Sequence, residues 1–429
     1  MYFCNIDYFN RHMKDTPLIR ISLLLTASII TAKCSYDSVG TVQWLILAFL
    51  AMCSAFLSRK VVYSQCFSLY LCIFFTGCVL TSHQIDQSRQ PVRYETKSEL
   101  SSLERTRLKV ADWRSCIEKQ MKTLHIEEQD YAVVSAMALG DKSALDKETK
   151  ENYSIAGASH ILAVSGLHIG IIFQLIILLL GGKRRSGFAI CLSTIAIWAY
   201  VLFIGMPASA VRSAALISIY GIALLSQRQT MSVNTLGLAY IIMLLLNPSN
   251  LYDISFQMSF LAVLSILLFY PLLAALLSPG NRLCRWAWQL ACVSAAAQIG
   301  TMPLIAYYFG RISCYSLLTS FIAIPAATLI LYLCALLLFV APLAFIGSMS
   351  SIAHAVTEWA ASVLVSITQF ANTAFRLISL LPGASIEGVR PTLAQLWLLY
   401  LILSAVFLLW QYWRDNNRKP APQPTFQPA

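Results

Sequence analysis

Charged side chains are scarce in this 429-residue chain. Asp, Glu, Lys and Arg together make up 12%, where a water-soluble globule carries roughly 25%. Apolar residues reach 58%. This balance excludes a soluble enzyme or binding module and leaves a polytopic membrane protein. Other absences narrow the class. The twelve cysteines form no CxxC pair and no mixed Cys/His cluster, so no zinc site and no cofactor is expected. No GxxxxGK[ST] loop is present, so the chain has no phosphate cradle with which to power transport itself. No stretch repeats another, and repeats are what a transporter built from inverted halves would show.

What is there is a series of apolar runs near the length that spans a bilayer, about 20 residues. They fall at 18–33, 42–57, 61–80, 155–180, 187–205, 208–226, 233–247, 254–277, 286–308, 314–341, 350–381 and 393–413. The runs at 314–341 and 350–381 are over-long, so the expected fold is an all-α transmembrane bundle of ten to twelve spans. The first run follows a polar lead with Asp7, Arg11, Lys14 and Asp15 and shows no small-residue cleavage site. It is expected to be an anchor and not a cleaved signal.

Orientation follows from the short loops. With the N-terminus inside, the inner loops hold Arg59, Lys60, Lys183, Arg184, Arg185, Arg228, Arg282 and Arg285, and the tail holds Arg414, Arg418 and Lys419. The outer short loops hold little beyond Lys33, Arg311 and Arg390. Both termini are therefore expected in the cytoplasm, with the chain in the cell inner membrane. The formal charge of +11 is mostly this topology signal, because the one long polar segment, 81–153, is slightly acidic with twelve Lys or Arg against thirteen Asp or Glu. Charge alone does not argue for a nucleic-acid footprint.

Segment 81–153 falls outside on this topology. Its first part lacks strand-like alternation. From about Ser98 to Leu124, apolar Leu103, Val110, Ile117 and Leu124 recur every seven residues, which predicts an amphipathic helix. A further helix is expected up to Leu139, closed by Gly140, and a short one within 141–153. The layout is then 1–80 N-terminal transmembrane helices, 81–153 an extracytoplasmic helical segment, 154–413 a transmembrane channel domain and 414–429 a disordered, proline-rich cytoplasmic tail. Cys34 and Cys78 both fall near the outer ends of spans, a placement compatible with a disulfide.

The stretch "NYSIAGASHILAVSGLHIGIIF", 152–173, carries two histidines and several glycines and serines into an apolar run. Polar groups at membrane depth must find partners or water. Projected on one continuous helix over 155–172, Ser159, Ala163, Gly166 and Gly170 share a small-residue stripe of the kind that lets helices approach closely. His160 and His168 lie off it, and Ser165 and His168 are an i,i+3 pair. Two readings stand: a tightly packed helix with satisfied histidines, or a helix or half-helix lining a pathway. A serine nucleophile at Ser165 is disfavoured, because the positions two residues to either side hold Ala163 and Leu167 where an elbow needs glycines.

Other polar residues interrupt the apolar runs. Arg212 stands among Ala208, Ser209, Ala210, Ser213, Ala214 and Ala215. It either faces inward toward an anionic solute or pairs with Asp253 or a backbone carbonyl. Gln257, Gln298 and Thr301 are helix–helix hydrogen-bonding groups or pore-lining ones. Pro303 and Pro325 are expected to kink their helices. His354 and Glu358, spaced i,i+4, could pair or relay a proton. A relay would favour a proton-coupled small-solute transporter.

Taken in order, several of these stretches resemble the ComEC-type competence proteins, the DNA-internalisation channels of naturally transformable bacteria. "AGASHILAVSGLHIGII" resembles the family signature, and "AMALGDKSALDKETKENYSIAG" the lead-in helix with its LGD turn. "MPASAVRSAALIS" resembles the segment with a membrane arginine, here Arg212. The block from Asn234 through Asn247, Pro248, Asp253, Gln257 and Ser259 resembles the next motif, and Gln298, Pro303, Phe309 and Gly310 the later one. The match covers about 130–325. Relatives often carry a longer strand-rich insert where only 81 to about 110 is available here, and many carry a C-terminal metallo-β-lactamase-like domain. This chain has no HxHxDH-type cluster, and Ser320 stands where relatives tend to have Asn.

The resemblance implies an inner-membrane channel that passes single-stranded DNA inward and performs no reaction of its own. It implies lipid, a cytoplasmic DNA motor, an extracytoplasmic DNA-binding protein and a separate nuclease as partners. The candidate DNA-path residues are His160, Ser165, Gly166, His168, Arg212, Gln257 and Gln298. The candidate structural residues are Gly157, Gly170, Asn247, Pro248, Asp253 and Pro303.

Overall fold

The computed structural model describes residues 17–89, 128–181, 187–225, 233–340 and 350–417. The expected helix over 98–124 and the tail beyond Asn417 lie outside the described residues. Helices dominate because a backbone in lipid must satisfy its own donors and acceptors. In chain order they are α1 (Pro17–Cys34), α2 (Thr41–Leu57), α3 (Val62–Arg89), α4 (Glu128–Ala138), α5 (Lys147–Ala156), α6 (Gly166–Leu179), α7 (Gly187–Phe203), α8 (Ala208–Leu225) and α9 (Val233–Leu246). A 3₁₀ turn, Pro248–Tyr252, precedes α10 (Ile254–Ala274). Next come α11 (Arg282–Phe309), α12 (Ser316–Val340), α13 (Ser350–Ser379) and α14 (Leu393–Asn417).

Among the described residues, seven helices are long and apolar enough to cross a membrane: α1, α3, α8, α10, α11, α12 and the apolar part of α14. Four shorter apolar helices, α2, α6, α7 and α9, accompany them. The architecture is an all-α polytopic helical bundle. Two three-residue strands, β1 (Arg311–Ser313) and β2 (Ser385–Glu387), pair antiparallel beside it.

The over-long runs resolve simply. Each is one continuous helix, α12 of 25 residues and α13 of 30 residues. Pro303 and Pro325 lie inside α11 and α12. Helix α3 carries on to Arg89, past the end of its apolar run and into the polar residues that follow. Helix α14 likewise runs on to Asn417.

The buried side chains form several connected cores. The N-terminal helices α1 to α3 meet around Ala32, Trp44 and Cys78. A second core joins α1 to α9 and α10 through Leu25, Ile29, Leu244 and Phe256. A third joins α6, α7 and α8 around Ile169, Ile197 and Ala210. The largest joins α4 and α5 to α12 and α13, with Tyr153 and Phe375 in edge-on contact at 4.7 Å between ring centroids. Cys34 is exposed, Cys78 is buried and both are free thiols, so the disulfide that their placement allowed is not formed.

Two loops close on residues that need left-handed backbone. Gly140, expected to end α4, has φ +77. Gly157 ends α5 at φ +84, and a Cβ there would stand 2.7 Å from the Ser316 Cβ. Only glycine allows both this conformation and this approach.

Candidate functional site

The stretch 152–173 is not one helix. Helix α5 stops at Ala156, residues 157–165 are non-helical, and α6 starts at Gly166. The single small-residue stripe expected across 155–172 therefore does not exist. The break is held from several sides. The amides of Gly157 and Ala158 donate to the Ser154 and Tyr153 carbonyls at 3.1 and 2.7 Å. The Thr319 hydroxyl donates to the Ala156 carbonyl at 2.7 Å, and the Ser209 hydroxyl to the Val164 carbonyl at 2.7 Å. Polar groups that would be stranded in a buried loop are thus satisfied from α12 and α8.

Ser165 is the N-cap of α6, and the i,i+3 pair seen in the sequence is a capping pair. The Ser165 amide donates to His168 Nδ1 at 3.2 Å, and the Ser165 hydroxyl lies 2.9 Å from the same nitrogen. With Nδ1 accepting, the ring proton is assigned to Nε2. His168 is fully buried, and Nε2 has no partner among the described residues. Gly166 abuts α8: a Cβ there would meet the Ser213 Oγ at 2.9 Å. Gly170 has open space instead, with nothing within 4 Å of a built Cβ. His160 is exposed in the loop.

Arg212 is 2% exposed. Its Nη1 donates to Asp253 Oδ2 at 3.0 Å, and its Nη2 donates to the Ser255 hydroxyl. Asp253 is also the N-cap of α10, accepting from the Ser255 amide at 2.9 Å through Oδ1. One carboxylate therefore caps a helix and holds a guanidinium.

The Asn-Pro turn before Asp253 is fixed in the same manner. Asn247 caps the 3₁₀ turn by accepting from the Ser249 amide at 3.1 Å, with Pro248 buried at its first position. Gln84 of α3 grips the start of this turn twice, donating to Asn247 Oδ1 and accepting from the Ser249 amide at 3.1 Å. Gln257 donates to the Leu251 carbonyl at 2.8 Å and accepts from the Tyr308 hydroxyl of α11 at 3.0 Å. Gln257 is thus a helix–turn and helix–helix link. Gln298 is half-buried on α11, and Pro303 lies in the same helix.

Contacts run in a chain: Ser165 and His168 open α6, Gly166 abuts Ser213 beside Arg212, Arg212 holds Asp253, and Asn247, Pro248 and Gln257 fix the turn that leads into Asp253. His160, exposed in the 157–165 turn, is near enough to His168 for the two rings to interact, and Gly157 sits apart, against Ser313 and Ser316. Sequence reasoning missed Gln84 and Ser255, because a lone polar residue does not announce a partner more than 40 residues away. It also missed a close contact between α10 and α11. A Cβ on Gly300 would fall 1.7 Å from the Ser265 Oγ, so α10 and α11 touch backbone to side chain there, and the Tyr400 hydroxyl reaches the Gly300 carbonyl at 3.0 Å.

A second polar group lies beneath α5. The Tyr153 hydroxyl donates to Asn372 Oδ1 at 2.7 Å, and Asn372 Nδ2 donates to buried Asp130 at 2.8 Å. Burial, followed by the nearby Asp130 charge, raises the Tyr153 phenol above its ordinary range, which keeps it protonated as the donor. His354 and Glu358 are both exposed on α13, and no ion pair joins them among the described residues. Among the described residues, no group of three or more His, Cys, Asp or Glu is placed to hold a metal ion.

Comparison with known proteins matches these features to one family. A segment of the chain is 29% identical over 199 residues to ComE operon protein 3 of Bacillus subtilis (strain 168), covering 46% of this chain and 24% of that protein. Another relative, an uncharacterized protein of Aquifex aeolicus (strain VF5), is 30% identical over 178 residues, 41% of this chain and 40% of that one. The matched segments thus span well under half the length of these relatives. No solved structure matches the chain. The family model described as competence protein matches residues 137–413, a stretch that holds the broken helix, the arginine pair and the Asn-Pro turn, and this protein belongs to that family.

Proposed function

We propose that this chain forms an inner-membrane channel for DNA uptake in natural competence, passing a single strand inward. The observation that carries the reading is the family match over 137–413, which contains every residue gathered around the broken helix. The physical character of that region supports it. A half-helix begins inside the bundle, and a buried imidazole nitrogen and a buried guanidinium accompany it. Irregular backbone at such depth is tolerated where it is packed in protein or borders a wet cavity.

In this reading, residues 1–80 are accessory membrane helices, 81–153 lie outside the cell membrane and 154–413 make the channel, with both termini cytoplasmic. The channel performs no chemistry. A cytoplasmic motor pulls, and an extracytoplasmic protein delivers the strand. Deletion of the gene in a competent strain, with a complementing copy as control, tests this. Transformation should fall to background while capture of DNA at the cell surface continues. Unchanged transformation would overturn the proposal.

A further inference from the structure

Helix α13 carries an uncovered polar face along its whole length. The helix has 30 residues, about 45 Å at 1.5 Å per residue, and it packs antiparallel on α12. Its buried side includes Ala360, Leu364, Ala371 and Phe375, each 2% exposed or less. On the opposite side, His354, Glu358, Ser362, Ser366, Gln369 and Thr373 are all exposed. At about 100° per residue these six fall within an arc of about 120°. Exposed Arg376 continues the same arc.

The large exposed apolar residues lie outside this stripe, which includes only exposed Ala355 and half-buried Val365 among apolar side chains. Trp359, Phe370 and Leu377, at 60%, 63% and 61% exposure, sit on one flank. Half-buried Val356, Val363 and Ile367 follow them around the helix, the last two packed against the core shared with α12. One flank suits lipid and the adjoining arc does not, because hydroxyl, amide and charged groups facing hydrocarbon forgo their hydrogen bonds. The hydroxyl of Ser366 is partly satisfied by the Ser362 carbonyl at 2.9 Å. The side chains of Ser362, Gln369 and Thr373 have no such recourse among the described contacts.

The outer end of the stripe opens onto a polar cavity of about 410 Å³ between α4, α5 and α13. Gln369, Asn372, Thr373 and Arg376 form its α13 wall. This continuity distinguishes water from a second helix as the occupant, since a protein partner sealed against the stripe would also have to close the cavity. Glu358 stands near one end of the stripe and Arg376, 4.0 Å from Glu148, near the other, while the cavity beyond is acidic, lined by Asp130, Asp146 and Glu148. Such a lining hydrates a passing chain and does not trap it, as conduction requires.

We propose that the polar face of α13 is one wall of a water-filled route across the membrane. Resting on the function proposed above, this is the route of the strand.

The test is thiol accessibility in cells that carry the full chain. Ser362→Cys, Gln369→Cys and Thr373→Cys place thiols on the stripe; Val363→Cys and Ile367→Cys place them on the apolar arc. Each variant is compared with wild type for abundance and for background labelling by a membrane-impermeant methanethiosulfonate reagent. Stripe thiols should label above background and apolar-arc thiols should not. Stripe thiols that stay unlabelled, or label no more than the apolar arc, overturn the route. Unlabelled stripe thiols that instead form disulfide-linked dimers under mild oxidant make a second copy the occupant and also overturn it. Labelling should then drop at Thr373→Cys while transforming DNA is in transit. Labelling unaffected by DNA removes the strand from this route, whereas only the deletion experiment removes the uptake function itself.

Discussion

Arg212 and Asp253 are 41 positions apart in sequence and 3.0 Å apart in space. The guanidinium is nearly enclosed, with 3% of its side chain exposed, while the carboxylate keeps 37%. The second arm of the fork reaches Ser255. The pair therefore joins the first turns of α8 to the start of α10, and both nitrogens at the tip of Arg212 are used.

Lysine cannot reproduce that fork, because it is a point charge on a flexible stem. Arg212→Lys and Arg212→Gln should both lower membrane abundance and transformation. Removing one partner should destabilise by about 2–3 kcal/mol, less than for a fully enclosed pair because Asp253 is partly wet. An immunoblot of the membrane fraction beside a transformation count checks this. Wild-type uptake by Arg212→Lys at normal abundance would mean that charge, and not the fork, is what the site requires.

Gly300 and Gly170 should behave oppositely, although both are helical glycines in apolar spans. Gly300→Ala drives a methyl into Ser265 and should cost about 1–3 kcal/mol through overpacking. Adding Ser265→Gly removes the colliding side chain and should recover most of the loss. Gly170→Ala meets nothing and should change stability by no more than about 0.5 kcal/mol. Thermal unfolding of the purified protein in detergent, followed by size-exclusion fluorescence, would rank the three variants.

His168 at the third position of α6 stands where a capping box places Glu or Gln. His168→Gln should keep the acceptor for the Ser165 amide and hold abundance near wild type. His168→Leu strips the cap and should destabilise by about 1 kcal/mol. Uptake lost by His168→Gln at normal abundance would assign the imidazole, through its unpartnered Nε2, a role beyond capping.

The Tyr153–Asn372–Asp130 chain ties α5 and α4 to α13. Asn372→Ala removes the middle partner and leaves buried polar groups behind, which should destabilise by about 1–3 kcal/mol. Tyr153→Phe keeps the ring packed on Phe375 and should cost less. Equal unfolding temperatures for Asn372→Ala and wild type would show that water replaces the amide without loss.

Much of this protein is determined by its sequence alone. Apolar runs become helices because hydrocarbon offers the backbone no other partners, and of the twelve runs found by hydropathy all but that at 155–180, which is broken at 157–165, fall on a single helix. Local chemistry is equally legible: Gly140 ends a helix, Ser165 and His168 meet because three residues make nearly one turn, and Asp253 caps the helix that follows it. Tertiary structure decided the rest. Hydropathy cannot separate a buried loop from a buried helix, so the break at 157–165 emerged only when α8 and α12 supplied hydroxyls to its carbonyls. Whether Arg212 would face a solute or Asp253 depended on the distance between α8 and the start of α10. That Gly300 is constrained and Gly170 is free depended on which helices press together. Such choices rest on distances across the bundle, which packing sets and neighbouring residues in the chain do not encode.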